Sequence, residues 1–487
     1  MTSNELGARM LSYAKTLEDG EEVTTLEFAE QLSLLLFLKM ADEYEKLMQC
    51  NILPFGSGWS NIADLEADVL ETNYNDVLAS LATVDGQVGD FFLKSTNKIH
   101  QPAFLRRIIS DLVGSVDWTA LDSSVKGPAF EQLIVRGIET GGSKAGKHFT
   151  PRTVISAIVT VMNPGPGDTV CDPTCGTGGF LIGAHGHILN TNAILDPDQR
   201  KHLRDEALSG ADISQRYQRL STMNLLMHGL GTMAALPAVS QNDSLSAHPG
   251  RYFTMILANP VFGIQSSVES DPDIEVSERV NLASYRDDFW TSTPNKQLNF
   301  VQHIKTILAI NGRAAVVLPD NVLFEAGAGE LIRRNLLAEC DVHTILRMPQ
   351  GVFLTPGTKA NVIFFDRKPA SETPWTTDVW IYDLRTNKDF TLKQKPLTRE
   401  DLDNFVACYQ SADRSKRVES ERFKRFAYDE LIKRDKVNLD IKWLKDDSET
   451  DGAGLPHPDL LIAEIVEELI SVAEELAAAA TSVQTGI

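Results

Sequence analysis

The chain is poor in positive charge, in cysteine and in long apolar runs. Its 46 lysines and arginines face 67 aspartates and glutamates, a formal net charge of −21 at pH 7. Phosphate neutralisation supplies most of the affinity of proteins for duplex nucleic acid, so a chain with this balance repels DNA on average. The five cysteines, Cys50, Cys171, Cys175, Cys340 and Cys408, are odd in number and scattered, which excludes a disulfide framework and fits a reducing, cytoplasmic compartment. Cys171 and Cys175 have no partner histidine or cysteine nearby, so no metal is expected and they read as small residues flanking a turn. Even the apolar run Leu34-Leu-Leu-Phe-Leu38, bracketed by Glu30 and Lys39, is far short of the roughly 20 residues a membrane span needs. Met1-Thr-Ser-Asn-Glu5 has neither a basic start nor an apolar stretch, so no secretory leader is expected. There is no internal repeat, and compositional bias is confined to an Ala-rich tail near Ala477. With 487 residues, 43% hydrophobic and 23% charged, the chain suits a soluble globular protein of two or three domains.

What the chain does carry is a series of polar strand ends. Asn259-Pro260-Val261-Phe262 follows the apolar run Phe253-Thr-Met-Ile-Leu-Ala258 and differs at one residue from Asn-Pro-Pro-Phe, the signature of enzymes that methylate an exocyclic amine. A weakly nucleophilic amide or aniline-like nitrogen must become more electron-rich as it attacks. The Asn259 side-chain oxygen and the Pro260 carbonyl would accept its two protons, and Phe262 would offer a flat face to a flipped base. By itself an Asn-Pro pair after a strand is usually a turn, because proline fixes its own backbone and pushes its neighbour out of the helical region. The weight therefore comes from its company.

That company is Asp168-Thr-Val-Cys-Asp172-Pro-Thr-Cys-Gly176-Thr177-Gly178-Gly179, running into the apolar stretch Phe180-Leu-Ile-Gly-Ala184. A short β-like run, an acidic residue, a glycine-rich turn and an apolar helix form the first strand-to-helix turn of a doubly wound fold, where nucleotides bind. A dinucleotide fingerprint needs a third glycine where Leu181 stands, and no Gly-Lys-Ser/Thr follows, so NAD and FAD fit poorly and a P-loop is excluded. Asp172 suits a cationic ammonium better than a pyrophosphate, which fits the methionine end of S-adenosylmethionine. Ser209-Gly-Ala-Asp212 puts a carboxylate where ribose hydroxyls could donate, and Asn242-Asp243 adds one for the adenine amine. Each acidic strand end alone reads as a cap or turn residue. Three in strand order ahead of the tetrad point to a cofactor.

In chain order, Gly146-Lys147-His148-Phe149-Thr150-Pro151-Arg152, the Asp172 to Gly178 turn, Met223-Asn-Leu-Leu-Met-His228-Gly and Asn259-Pro-Val-Phe-Gly263 resemble the modification (M) subunit of type I restriction-modification systems. The resemblance runs on through Gly312 to Pro319, Arg347-Met-Pro-Gln-Gly351-Val-Phe353 and Trp380 to Arg385, and so covers most of the chain. It implies a DNA adenine-N6 methyltransferase that uses S-adenosylmethionine. Lys147, His148, Phe149, Thr150, Pro151 and Arg152 would then lie in the segment that closes over the methionine part. Asp172, Gly176, Thr177 and Gly178 would form the cofactor loop, with Asp212 and Asp243 beyond it, and Asn259, Pro260 and Phe262 would be catalytic. It also accounts for the charge: a separate specificity (S) subunit reads double-stranded DNA, two M subunits flank it, and a restriction (R) subunit can join. Two departures stand out. Asp212 replaces the usual glutamate, shortening the reach by one methylene, and Val261 replaces the second proline, which costs rigidity but no acceptor. Two other readings remain open at this point, a non-catalytic S-adenosylmethionine-binding scaffold of the same assembly and a protein glutamine methyltransferase.

Three regions are expected. Residues 1–130 form a helical domain, in which Thr24-Thr25-Leu26-Glu27 is a capping box opening a helix to about Met48; the resemblance makes this the domain that helps enclose DNA. Residues 131–455 alternate β-rich runs with helical stretches, the α/β rhythm of a doubly wound, mostly parallel sheet of the Rossmann-like class I methyltransferase kind. Residues 456–487 carry Ile462, Ile465, Leu469, Val472 and Leu476 at steps of three and four. That seam is too short to stand alone as a coiled coil, so it reads as a docking helix for the S subunit or as packing on its own chain. Net charge reverses locally in the basic stretch Arg414, Lys416, Arg417, Arg422, Lys424, Arg425, Lys433, Arg434 and Lys436, which reads as a solvated helical face or as a phosphate or partner contact.

Overall fold

The computed structural model describes residues 1–21, 23–141, 149–192, 194–260, 286–353, 359–391, 394–410 and 412–446. The expected docking helix of residues 456–487 lies outside the described residues, as do Lys147, His148, Val261 and Phe262.

A nine-stranded sheet organises the rest. Its strands are β1 Val170–Asp172, β2 Leu208–Asp212, β3 Ala238–Gln241, β4 Phe253–Ala258, β5 Leu308–Pro319, β6 Cys340–Arg347, β7 Ala360–Arg367, β8 Asp378–Asp383 and β9 Phe423–Ala427. They lie in the order β3-β2-β1-β4-β5-β7-β6-β8-β9. The first five pair with one another in parallel, as the doubly wound expectation requires. Beyond them β7 runs antiparallel between β5 and β6, and β9 antiparallel to β8. Along β5, Ala315 and Val317 turn into one apolar layer and Ala314, Val316 and Leu318 into the other, the period-two alternation of a strand buried on both faces. Helices Arg152–Met162 and Gly179–Thr191 cover the first layer; Lys296–Ile307 and Ala328–Glu339 cover the second.

The N-terminal layer is helical. The Thr24 side chain accepts from the Glu27 amide while the Glu27 carboxylate accepts from the Thr24 amide at 3.0 Å, closing the capping box at the start of helix Thr25–Met48. Phe28, Leu32, Leu35 and Phe37 of this helix are fully buried. It crosses helix Ser123–Thr140 at Gly137, where a Cβ would stand 2.7 Å from the Leu26 backbone nitrogen, so only glycine allows the approach. Leu133, Ile134 and Ile138 belong to this helical core. The boundary expected at residue 130 therefore cuts through a helix, and the helical unit runs on to about Thr140.

The helical core also takes in Tyr217, Leu220, Met223 and Met227 from helix Gln215–Met227, which follows β2. A buried ion pair fixes this junction. Glu30 accepts from Arg219 and, at 3.2 Å, from Arg216, while Arg219 also donates to the carbonyls of Phe91 at 2.9 Å and Leu93 at 2.8 Å.

Of the basic stretch, Lys416, Arg425, Lys433 and Lys436 are exposed, whereas three arginines are used within the fold. Arg414 pairs with Asp366 at 2.7 Å and Asp341 at 3.1 Å, buried Arg417 donates to the Tyr409 and His343 carbonyls, and Arg422 donates to the Asp383 and Thr386 carbonyls. These arginines tie β9 and its approach to the sheet. No helix of the described residues is long and apolar enough to cross a membrane.

Removing one partner of a buried, hydrogen-bonded ion pair leaves a charge without compensation, which costs about 3–5 kcal/mol. Glu30→Ala should lower stability by that amount in urea denaturation. A change under about 1 kcal/mol would show that Arg219 is satisfied without Glu30.

Candidate active site

The sheet order sets neighbouring strand ends side by side. β4, β1, β2 and β3 end at or just before Asn259, Asp172, Asp212 and Asp243, all on the carboxyl edge. Adjacent strands lie about 4.8 Å apart, so this row spans roughly 14 Å. The chain leaves β1 toward β2 on one side while β4 joins on the other, and such a reversal is where open α/β sheets bind ligands.

Between β1 and helix Gly179–Thr191 the backbone makes a tight turn. Gly176 has φ 51° and Gly178 φ 82°, left-handed values that cost other residues strain, and a Cβ on Gly178 would meet Ser221 Oγ at 3.0 Å. Three side chains clamp the turn from outside. Asp212 Oδ2 accepts from the Gly176 amide at 3.0 Å, Asn224 Nδ2 donates to the Thr177 carbonyl at 2.9 Å, and Ser244 Oγ donates to the Pro173 carbonyl at 2.7 Å. Sequence reasoning assigned no role to Asn224 or Ser244. The Met223 to His228 motif pointed near Asn224 without saying what its amide would hold.

Asp172 is 2% exposed, with its Oδ1 accepting from the Thr174 amide at 3.0 Å. Burial pushes its carboxyl up to about 7, and the nearby Asp212 carboxylate pushes in the same direction. Asp212 is itself buried, and its Oδ1 accepts from the Ser214 amide at 2.9 Å. Both Asp212 oxygens thus already serve the fold. Asp243 lies at the far end of the row, where its Oδ1 accepts from the Leu245 amide at 2.9 Å, a short-range turn contact.

Asn259 closes the opposite end. It is 8% exposed, and its Nδ2 donates to Thr150 Oγ1 at 2.9 Å. Among the described residues its Oδ1 is buried without a hydrogen-bond partner. Buried acceptors are nearly always paired, so this one marks either strain or a missing donor. Phe149, Thr150, Arg152, Asp172, Thr177 and Asn259 line one cleft at this edge. Arg152 faces the structure as well: it pairs with Glu131 of helix Ser123–Thr140 and donates to the Gly179 carbonyl at 2.9 Å. Gly176, Gly178, Asp212 and Asp243 are not among the lining residues.

The cysteine thiols are poor nucleophiles, since burial pushes Cys171 up to about 12 and raises Cys175 as well. Among the described residues no group of three histidine, cysteine, aspartate or glutamate side chains could hold a metal ion. The chemistry on offer is a buried acceptor for an N–H donor, beside a carboxyl that a cation would ionise.

Residues 122–452 match the family model described as N-6 DNA methylase. The methylase subunit of the type I restriction enzyme StySPI from Salmonella potsdam is 32% identical, over 98% of this chain and 94% of that subunit. The EcoKI methylase subunit of Escherichia coli K12 is equally 32% identical, over the same shares. The crystal structure of the EcoKI M protein superposes with a TM-score of 0.55 at 29% identity, covering 99% of this chain and 96% of that one. A type I restriction-modification assembly contains a chain with the same fold, at a TM-score of 0.76 and 22% identity over 99% of this chain and 98% of that one.

Because the folded carboxyl of Asp172 titrates near 7 against an ordinary 3.8, its ionisation opposes folding. That penalty is absent below about pH 4, grows as pH rises toward 7 and is complete above it. Without ligand, Asp172→Asn should therefore melt at a higher temperature than the parent at pH 8, with the gap closing toward pH 4. An unchanged or lower melting temperature at pH 8 would mean that neighbouring groups compensate the charge.

Proposed function

The chain belongs to the N-6 DNA methylase family and, within it, to the methylase subunits of type I restriction enzymes, and on that footing we propose that Asn259, Pro260 and Phe262 hold the adenine N6 amine while S-adenosylmethionine lies along the row of strand ends. It is an adenine-specific DNA methyltransferase. The observation that carries the assignment of residues is the Asn259 oxygen, buried and without a partner among the described residues, on a side chain that lines one cleft with Asp172.

The residues fit this cofactor. Asp172, ionised, would take the ammonium of the methionine end, and Phe149, Thr150 and Pro151, with Lys147 and His148, would cover it. Asp212 would face the ribose through the lone pairs its two amide contacts leave, and Asp243 the adenine. Arg152 contributes by holding its segment in place through Glu131 and Gly179. When bound, the cofactor supplies a methyl group on a cationic sulfur that is open to direct attack. Asn259 Oδ1 and the Pro260 carbonyl would accept hydrogen bonds from the two amine N–H groups, raising electron density on the nitrogen; as the N–C bond forms the S–C bond breaks, the sulfur leaves as a neutral thioether and the methylated amine loses one proton. Preorganised acceptors of this kind need not reorient during reaction. Phe262 stacks on the flipped base. The buried thiols take no part.

A methylase subunit acts within a complex, and we assign the sequence reading to an S subunit flanked by two copies of this chain, with an R subunit as a further partner. The net charge of −21 and the internal use of Arg414, Arg417 and Arg422 support delegating DNA contact. In this assignment the N-terminal helical unit helps enclose DNA, residues 131–455 carry the chemistry and residues 456–487 dock on the partner. The match along nearly the whole chain weighs against a protein glutamine methyltransferase.

Two experiments test the proposal. Asn259→Ala, assayed with the S subunit on duplex DNA, should lose about 100-fold or more in methyl transfer while calorimetric binding of S-adenosylmethionine persists. Near-normal transfer would remove Asn259 from the chemistry, and no transfer by the parent complex would favour a cofactor-binding scaffold. In gel-shift titrations at physiological salt, the chain alone should bind duplex DNA weakly and without preference, and adding the S subunit should create tight, sequence-dependent binding. Deleting the residues after Pro458 should impair assembly and spare cofactor binding. Tight, specific binding by the chain alone would refute delegation.

A further inference from the structure

An amide side chain carries its acceptor and its donors on opposite sides, so rotation by 180° exchanges them. This matters for Asn259, because only its carbonyl can accept from an amine. With the NH2 group in the cleft, two donors would face each other. Something must choose the orientation.

We propose that Thr150 holds the amide against this rotation and is a positioning residue for methyl transfer; the proposal rests on Asn259 being an amine acceptor. Thr150 is buried, and its Oγ1 accepts from Asn259 Nδ2 at 2.9 Å, which leaves Asn259 Oδ1 without a hydrogen-bond partner among the described residues. The two residues are 109 positions apart, so the contact depends on how the Thr150 segment is held. That segment is anchored twice. Pro151 is the N-cap of helix Arg152–Met162, and Arg152 at its first position donates to the Gly179 carbonyl at 2.9 Å and pairs with Glu131. Thr150 is thus a fixed hydroxyl. A misplacement of about 1 Å in a reacting group can cost on the order of 100-fold in rate, and a freely rotating amide is misplaced for much of the time.

The test compares Thr150→Val, nearly isosteric but without the hydroxyl, with Thr150→Ser, each assayed with the S subunit on duplex DNA. At saturating S-adenosylmethionine, Thr150→Val should slow single-turnover methyl transfer by about 10-fold or more, and Thr150→Ser should restore the rate to within about threefold. In an Asn259→Ala background, Thr150→Val should add less than about twofold, because the group it positions is gone. Thr150→Ala replaces the valine variant if that does not fold. Additive losses in the double variant, a loss confined to cofactor affinity, or no rescue by serine would overturn the proposal. The two readings fail differently: a near-normal Asn259→Ala rate faults the acceptor itself, whereas a slow Asn259→Ala beside a normal Thr150→Val faults only Thr150.

Discussion

The parallel pairing of β1 with β4 is the constraint on which the site depends. Val170 lies opposite Met255 and Cys171 opposite Ile256, so the two strands end together and release Asp172 and Asn259 at the same edge. Side chains alternate along a strand, and a slip of one residue would turn each of these to the other face. The register is held from both sides. Met255 and Leu257 enter one apolar layer and Ile256 and Ala258 the other, so any shift exchanges partners in two cores at once. Burial on both faces is the usual condition of parallel strands, and here it also fixes the spacing of the functional groups.

Around that edge the polar side chains divide into those that hold and those that face the cleft. Asp212, Asn224 and Ser244 spend hydrogen bonds on the backbone of the glycine turn. Arg152 does the same for the segment before helix Arg152–Met162. Asn224 sits on the helix that also lends Tyr217 and Leu220 to the helical core and receives Glu30 through Arg219. The turn is therefore braced from the N-terminal layer as well as from the sheet. Two of the groups that remain carry the chemistry: an amide oxygen without a partner among the described residues and a carboxyl whose charge the protein resists.

Features written in a few adjacent residues were legible in the sequence. The Thr24 to Glu27 capping box closes as expected and its helix ends at Met48, and the runs at Phe253, Ala314, Val342 and Val362 are strands. The polar strand ends and the glycine turn were equally visible, since strand ends and glycines carry local signals. Features that depend on distant pairings were not. Nothing local distinguishes an antiparallel β7 from a parallel one, because both faces of either are apolar. The Arg414 to Arg422 stretch looked like a charged surface because its partners, Asp341, Asp366 and Asp383, come from other strands. The contact of Thr150 with Asn259 joins two motifs that were each recognised separately. Residue 130 lies inside helix Ser123–Thr140, which continues past the Gly127-Pro128 pair that reads locally as a break.

The raised titration of Asp172 has a consequence for binding. Burial and the neighbouring Asp212 carboxylate, at the ends of β1 and β2, both favour the form of Asp172 that keeps its proton. That proton spares the cleft two adjacent negative charges. A cation that enters displaces it into solvent. Occupancy of the cleft is thereby coupled to release of a fraction of a proton, and the heat of binding at pH 7 depends on which buffer receives it.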